Sequence, residues 1–273
     1  MMGTDELREE GNNGIFEEMT ETPKKNLPIF YLLDTSGSMY GEPIAILNRA
    51  MTETMEELKK VAKKNSDANL QIAVMEFNTN FKWMQPDGLE DVEDFYWVDL
   101  QAGGLTEIGA ALDELDKKLS RKSFLKDVMG NLMPVIIVMT DGGATSSYEK
   151  ELDKIRQNRW FQNASKIGFA VGNDADVKMI TEIVGSPEAV IKTDDMKMFA
   201  KLIRMASVTA SKIGSVSRTS AGEDIGTQVV TGIKESEKEG TKIPEEDPDP
   251  IPQGTPEPPW DGPEPPWDEG EFE

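Results

Sequence analysis

The stretch Pro28-Ile29-Phe30-Tyr31-Leu32-Leu33-Asp34-Thr35-Ser36-Gly37-Ser38 runs from an apolar segment straight into a cluster of oxygen-bearing side chains. A short apolar run that ends in a Gly-containing turn is the pattern of a strand buried on both faces of a parallel sheet. Pro134 to Thr140 repeats that pattern and ends at Asp141-Gly142-Gly143. Carboxyl ends of such strands face one crevice, where open α/β sheets place their ligands. A third segment, Gly103-Gly104-Leu105-Thr106, opens an amphipathic helix striped by Ile108, Ala111, Leu112, Leu115 and Leu119.

Asp34, Ser36 and Ser38 alternate, and Gly37 lets the backbone wrap tightly enough to turn three oxygens toward one point. With Thr106 and Asp141 they read as an open site for a hard divalent cation. Mg²⁺ or Mn²⁺ suits the set, since such ions want about six oxygens at ~2.0–2.1 Å and commonly keep waters among them. Only Asp34 and Asp141 of the five are charged. An ion held this way stays electrophilic and favours capture of an outside carboxylate. Two plainer readings stand beside this one: Asp34 and Asp141 as strand-end caps without metal, and Thr106 as a helix N-cap.

Carrying these residues in this order, the chain resembles the von Willebrand factor A (VWA) domain family over roughly Leu27 to Arg204. That family's metal-ion-dependent adhesion site (MIDAS) has the pattern Asp-x-Ser-x-Ser, Thr, Asp. Within the family the chain looks most like the bacterial tellurite-resistance-associated TerY type, through Leu32-Leu33-Asp34-Thr35-Ser36-Gly37-Ser38-Met39, Gly41-Glu42-Pro43-Ile44 and Val138-Met139-Thr140-Asp141-Gly142. The resemblance implies a doubly wound, mostly parallel six-stranded sheet with one short antiparallel edge and helices on both faces. It also implies that Ser36, Ser38 and Thr106 ligate a metal directly or through water, with Asp34 and Asp141 supplying charge. TerY-type proteins add an expectation of work beside kinase-like and PP2C-type phosphatase partners in bacterial stress or defence systems.

A chain of 273 residues with 37% hydrophobic content supports one sizeable α/β core plus non-globular ends. The net charge of −22 is concentrated at those ends. Residues 1 to 22 hold seven acids against Arg8, residues 235 to 273 hold fourteen against Lys238 and Lys242, and only −4 remains for the middle. Such a chain should repel nucleic acid and anionic membrane. There is no cysteine and no histidine, which removes disulfides, Cys or His zinc sites, thiol nucleophiles and imidazole bases. No run approaches the ~20 apolar residues of a membrane-spanning helix, and the acidic start Met1 to Glu10 is unlike a signal peptide. The expectation is a cytoplasmic protein.

Along the chain, residues 1–24 read as an acidic, disordered extension and 25–210 as the VWA-like domain. Pro43 starts a helix to about Lys64, and Leu70 to Phe77 and Phe81 to Met84 form a hairpin. Phe95 to Leu100 reads as a strand, Tyr148 to Gln162 as one helix, and Asp195 to Met205 as a closing helix. Residues 211–241 extend the domain or begin a linker. Residues 242–273 form an acidic arm: ten of the sixteen prolines fall within Pro244 to Pro266, the composition of an extended, polyproline-like segment.

That arm repeats Pro256-Glu257-Pro258-Pro259-Trp260-Asp261 as Pro263-Glu264-Pro265-Pro266-Trp267-Asp268. Trp260 and Trp267, each beside an acid, Asp261 or Asp268, read either as a bivalent protein-binding motif or as drift by duplication. The functional expectation is a non-enzymatic, metal-dependent protein-interaction module that binds a partner's Asp or Glu at its cation. Two alternatives differ in class. One is a metal-assisted phosphatase with Asp34 as nucleophile, although Ser36 stands where such a site wants a second Asp. The other is self-association, with a tail acid completing the metal site.

Overall fold

Strand β1 spans Lys25–Asp34, and every residue from Asn26 onward is buried. Apolar side chains on both of its faces demand two core layers. Leu27, Ile29, Tyr31 and Leu33 enter one, Phe30 and Leu32 the other. β1 pairs in parallel with β2 (Ala68–Phe77) on one side and β5 (Val135–Thr140) on the other. β6 (Ser165–Val171) and β7 (Val190–Thr193) continue the parallel sheet. At the opposite edge β3 (Phe81–Trp83) and the two-residue β4 (Glu90–Asp91) pair antiparallel with successive stretches of β2. The order is β3-β2-β1-β5-β6-β7, with β4 beside β3 on the outer edge of β2. The chain moves outward from β1 in both directions, so the crevice at a switch point lies between the carboxyl ends of β1 and β5. The computed structural model describes residues 24–126, 130–216 and 225–238.

Helices α1 (Glu42–Lys64), α6 (Met196–Val216) and α7 (Ile225–Lys238) close the first layer, through Leu47, Met51, Phe199, Ile203, Val229 and Val230 among others. Helices α2 (Ile108–Lys118), α3 (Glu149–Ile155), α4 (Arg159–Asn163) and α5 (Val177–Val184) close the second. Gly168 of β6 sets how near α5 can come, because a Cβ there would run into Ile180. Among the described residues no helix is long and apolar enough to cross a membrane.

Three expectations are corrected. Phe95 to Leu100 forms no strand; the side chain of Asn48 bonds the backbone of Leu100 instead, accepting from its N–H at 2.8 Å and donating to its carbonyl at 3.0 Å. Phe95 and Leu100 are buried and Tyr96 and Val98 exposed, but the two buried residues fall on opposite phases of a two-residue repeat, so the burial follows packing in the first core layer and not a strand's alternation. The span Tyr148 to Gln162 divides into α3 and α4. Asn158 causes the break: its side-chain oxygen accepts from Trp160 N–H at 2.9 Å, while its amide donates to the carbonyls of Asp116 and Leu119. The closing helix α6 runs to Val216 rather than stopping near Met205.

Candidate metal centre

Asp34 ends β1 and is fully buried. Its Oδ1 accepts from the Ser36 N–H at 2.8 Å and its Oδ2 from the Thr140 hydroxyl at 2.5 Å. Ser36 Oγ lies 3.1 Å from Ser38 Oγ, and Ser38 Oγ donates to Asp141 Oδ1 at 2.8 Å. One connected set of oxygens thus runs from the floor of the crevice to its rim: Ser36 is buried, Asp141 half-buried and Ser38 exposed.

Thr106 comes from a separate loop that the backbone clamps to this turn. Gly103 N–H donates to the Thr35 carbonyl at 2.8 Å, and Gly37 N–H to the Gly104 carbonyl at 3.0 Å. Gly104 has φ +83°, and a Cβ on it would sit 2.5 Å from Thr79 Oγ1, so a side chain there would force the loop off the site. Thr106 itself is buried and exchanges backbone hydrogen bonds with Thr145, giving its N–H to Thr145 Oγ1 and accepting from Thr145 N–H, both at 3.0 Å. Helix α2 starts at Ile108 after Glu107, with no side chain capping its amino end. The N-cap reading of Thr106 is therefore corrected: Thr106 precedes the cap position, and loop closure, not helix initiation, accounts for its placement.

Burial pushes the carboxyl of Asp34 above the usual carboxylate range, against the opposing bonds from Thr140 and Ser36 and with a further push from Asp141. Asp141 is also raised, first by burial, opposed by the Ser38 bond, and raised again by the nearby charge of Asp174. Two partly desolvated acids that resist ionisation side by side are the electrostatic setting a bound cation would relieve.

Among the described residues no group of three or more His, Cys, Asp and Glu side chains could hold a metal ion. The crevice instead combines two carboxylates with hydroxyls, an all-oxygen set whose chemistry fits a small hard cation. Asp34, Ser36, Ser38 and Asp141 are joined directly, and Thr106 is tied to them through the backbone clamp. Trp260, Asp261, Trp267 and Asp268 lie outside the described residues. The residue missed from sequence is Thr140: Leu33 pairs with Met139, which sets Thr140 beside Asp34 across the β1–β5 register, a placement that neither strand's sequence records by itself.

A family model, von Willebrand factor type A domain, matches residues 29–204. The chain belongs to the VWA domain family. Solved VWA-like structures share the fold at low identity. A von Willebrand factor type A protein from Catenulispora acidiphila is 18% identical with a TM-score of 0.53, the match covering 68% of this chain and 42% of that one. Proximal thread matrix protein 1 from the mussel byssus, in a form with a zinc-occupied MIDAS motif, is 18% identical with a TM-score of 0.51, covering 68% and 48%. The pilus adhesin SpaC from Lactobacillus rhamnosus GG in an open conformation is 12% identical with a TM-score of 0.52, covering 68% and 30%. This VWA chain thus spans less than half the length of each of these proteins. No curated protein matches it.

Proposed function

We propose that this VWA chain is a non-enzymatic protein-interaction module whose crevice binds Mg²⁺ or Mn²⁺ through Asp34, Ser36, Ser38, Thr106 and Asp141 and so captures a partner's Asp or Glu. The connected set Asp34, Ser36, Ser38 and Asp141, with two carboxylates among hydroxyls, carries the reading. A bound ion would supply an electrophilic position for an outside carboxylate. The chain's own residues do the rest: Asp34 and Thr140 fix the floor, the Gly103–Gly104 clamp sets the height of Thr106, and exposed Ser38 and half-buried Asp141 form the rim. Tyr40, 80% exposed, and Leu105, 51% exposed, stand beside Ser38 and Thr106 in sequence. They favour a partner acid with apolar neighbours.

The alternative with Asp34 as a phosphatase nucleophile is disfavoured. Its carboxylate is fully buried with both oxygens hydrogen-bonded, leaving no approach for in-line attack. We further propose, on the resemblance of its motifs to the TerY type alone, that the module works as a cytoplasmic adaptor beside kinase-like and PP2C-type phosphatase proteins in a bacterial stress or defence system. The test is affinity capture from native lysate with the full chain, in Mg²⁺ and in EDTA, alongside Asp141→Ala. Partners retained only with Mg²⁺ and only by the wild type are expected. Capture indifferent to both the chelator and the substitution would overturn the metal-dependent reading.

A further inference from the structure

A groove of about 390 Å³ lies between the carboxyl-terminal parts of α1 and α6, remote from the metal centre. Helix α1, 23 residues long, begins beside the Ser36–Ser38 turn and meets the groove from Glu57 onward, about 22 Å along its axis at 1.5 Å per residue. The walls carry Lys60, Lys64 and Lys212, with Val61 and Val208 among the apolar lining residues. Lys60 and Lys64 are four residues apart on one face of α1, a like-charge spacing that costs a helix stability. Lys60 pairs with Glu57 at 2.9 Å, whereas Lys64 and Lys212 form no ion pair among the described residues. Asp67 is the other acid in the lining. Unpaired positive charge gathered on an apolar base stands out in a chain of net charge −22.

The complementary chemistry is present on the same chain. Residues 235–273 hold fourteen acids against two lysines and repeat Trp-Asp twice, at Trp260-Asp261 and Trp267-Asp268. We infer that the groove between α1 and α6 is the intramolecular docking site of this arm, one indole lying against Val61 and Val208 with the following aspartate facing Lys64 or Lys212. Aromatic anchors in a desolvated pocket supply most of the affinity in such contacts, and surrounding charge pairs chiefly select orientation. The 21 residues between Lys238 and Trp260 can span up to roughly 70 Å when extended as Pro-rich sequence is, so reach does not restrict the contact. Two copies of the motif on one arm raise the occupancy of a single groove by rebinding. Docking here leaves the metal centre open to an outside acid.

Zero-length carbodiimide coupling of lysines to carboxylates in the dilute full chain, in carboxylate-free buffer stripped of divalent ions by a chelating resin, tests the contact independently of the metal centre. Peptide mapping should show Lys64 and Lys212 joined to Asp261, Asp268, Glu257 or Glu264 within monomers. Trp260→Ala with Trp267→Ala, which alters no described residue, should cut that yield by roughly tenfold or more, as loss of an aromatic hot spot does. Lys64→Glu with Lys212→Glu should do the same with an unchanged circular dichroism spectrum. Arm acids joined indiscriminately to lysines over the whole surface would overturn the inference. So would groove lysines joined to Glu223 or Asp224 instead, or crosslinks confined to covalent dimers. Protection of the arm tryptophans from quenching only when Mg²⁺ is present would place the arm at the metal centre and equally overturn it.

Discussion

Asp34 is held for ionisation at a cost that a cation would offset. Asp34→Asn should therefore abolish Mg²⁺ binding by calorimetry while leaving the thermal midpoint in EDTA equal to or above that of the wild type, because the buried charge is gone and Thr140 can reverse its hydrogen bond. The pH dependence follows from the same burial. In EDTA the folded chain protonates Asp34 and Asp141 at higher pH than the unfolded chain does, where carboxylates titrate near ~3.9. The native state thus binds more protons across that window, and their contribution to stability declines as pH rises through it. The wild-type midpoint minus that of Asp34→Asn, followed from acid to neutral pH in EDTA, should become more negative, and saturating Mg²⁺ should reverse the trend. Thr140→Val removes the donor to Asp34 Oδ2 and should cost about 1–3 kcal/mol in chemical denaturation, the penalty of a buried polar group left short of a partner.

At the scale of elements, Gly168 fixes the distance between β6 and α5. Gly168→Ala drives a methyl into Ile180 and should lower stability by about 1–3 kcal/mol while leaving Mg²⁺ affinity unchanged, since the crevice is built from β1, β5 and the loop before α2. The strands that build the crevice were legible in the sequence because Pro28 to Leu33 and Pro134 to Thr140 are buried on both faces. Short apolar runs of that length, closed by Gly-containing turns and alternating with helical stripes, fit the core of a parallel sheet. That Asp34, Ser36, Ser38 and Asp141 come together was legible for a related reason: they stand at or just beyond the ends of those same strands. What escaped reading depended on contacts distant in sequence. The unpaired Phe95 to Leu100 has a strand's aromatic and apolar composition, yet the backbone of Leu100 is met by Asn48. The break at Asn158 arises because its amide is drawn to the end of α2, which no local propensity records. Thr140 gained its role from register, a property of two strands and not of either one.

For the whole molecule, α7 belongs to the first core layer: Val229, Val230 and Ile233 are buried there with β1 and α6. Deleting residues 242–273 removes only the arm's contact with the α1–α6 groove and should lower the denaturation midpoint slightly. Deleting 225–273 should lower it by several kcal/mol in stability, each lost side chain being worth ~1.5–3 kcal/mol. Equal midpoints for the two truncations would mean α7 adds nothing to the core. Helix α1 has a consequence for the whole molecule as well. It begins beside the hydroxyl-lined turn and ends beside Lys64, so a single rigid rod carries two handles that let go under unrelated conditions. A chelator would loosen the first and leave the second, whereas strong salt would loosen the second and spare an ion seated among buried oxygens. The two events should then be separable: chelation releases an outside acidic partner while the arm stays seated, and salt shifts the arm while that partner is retained.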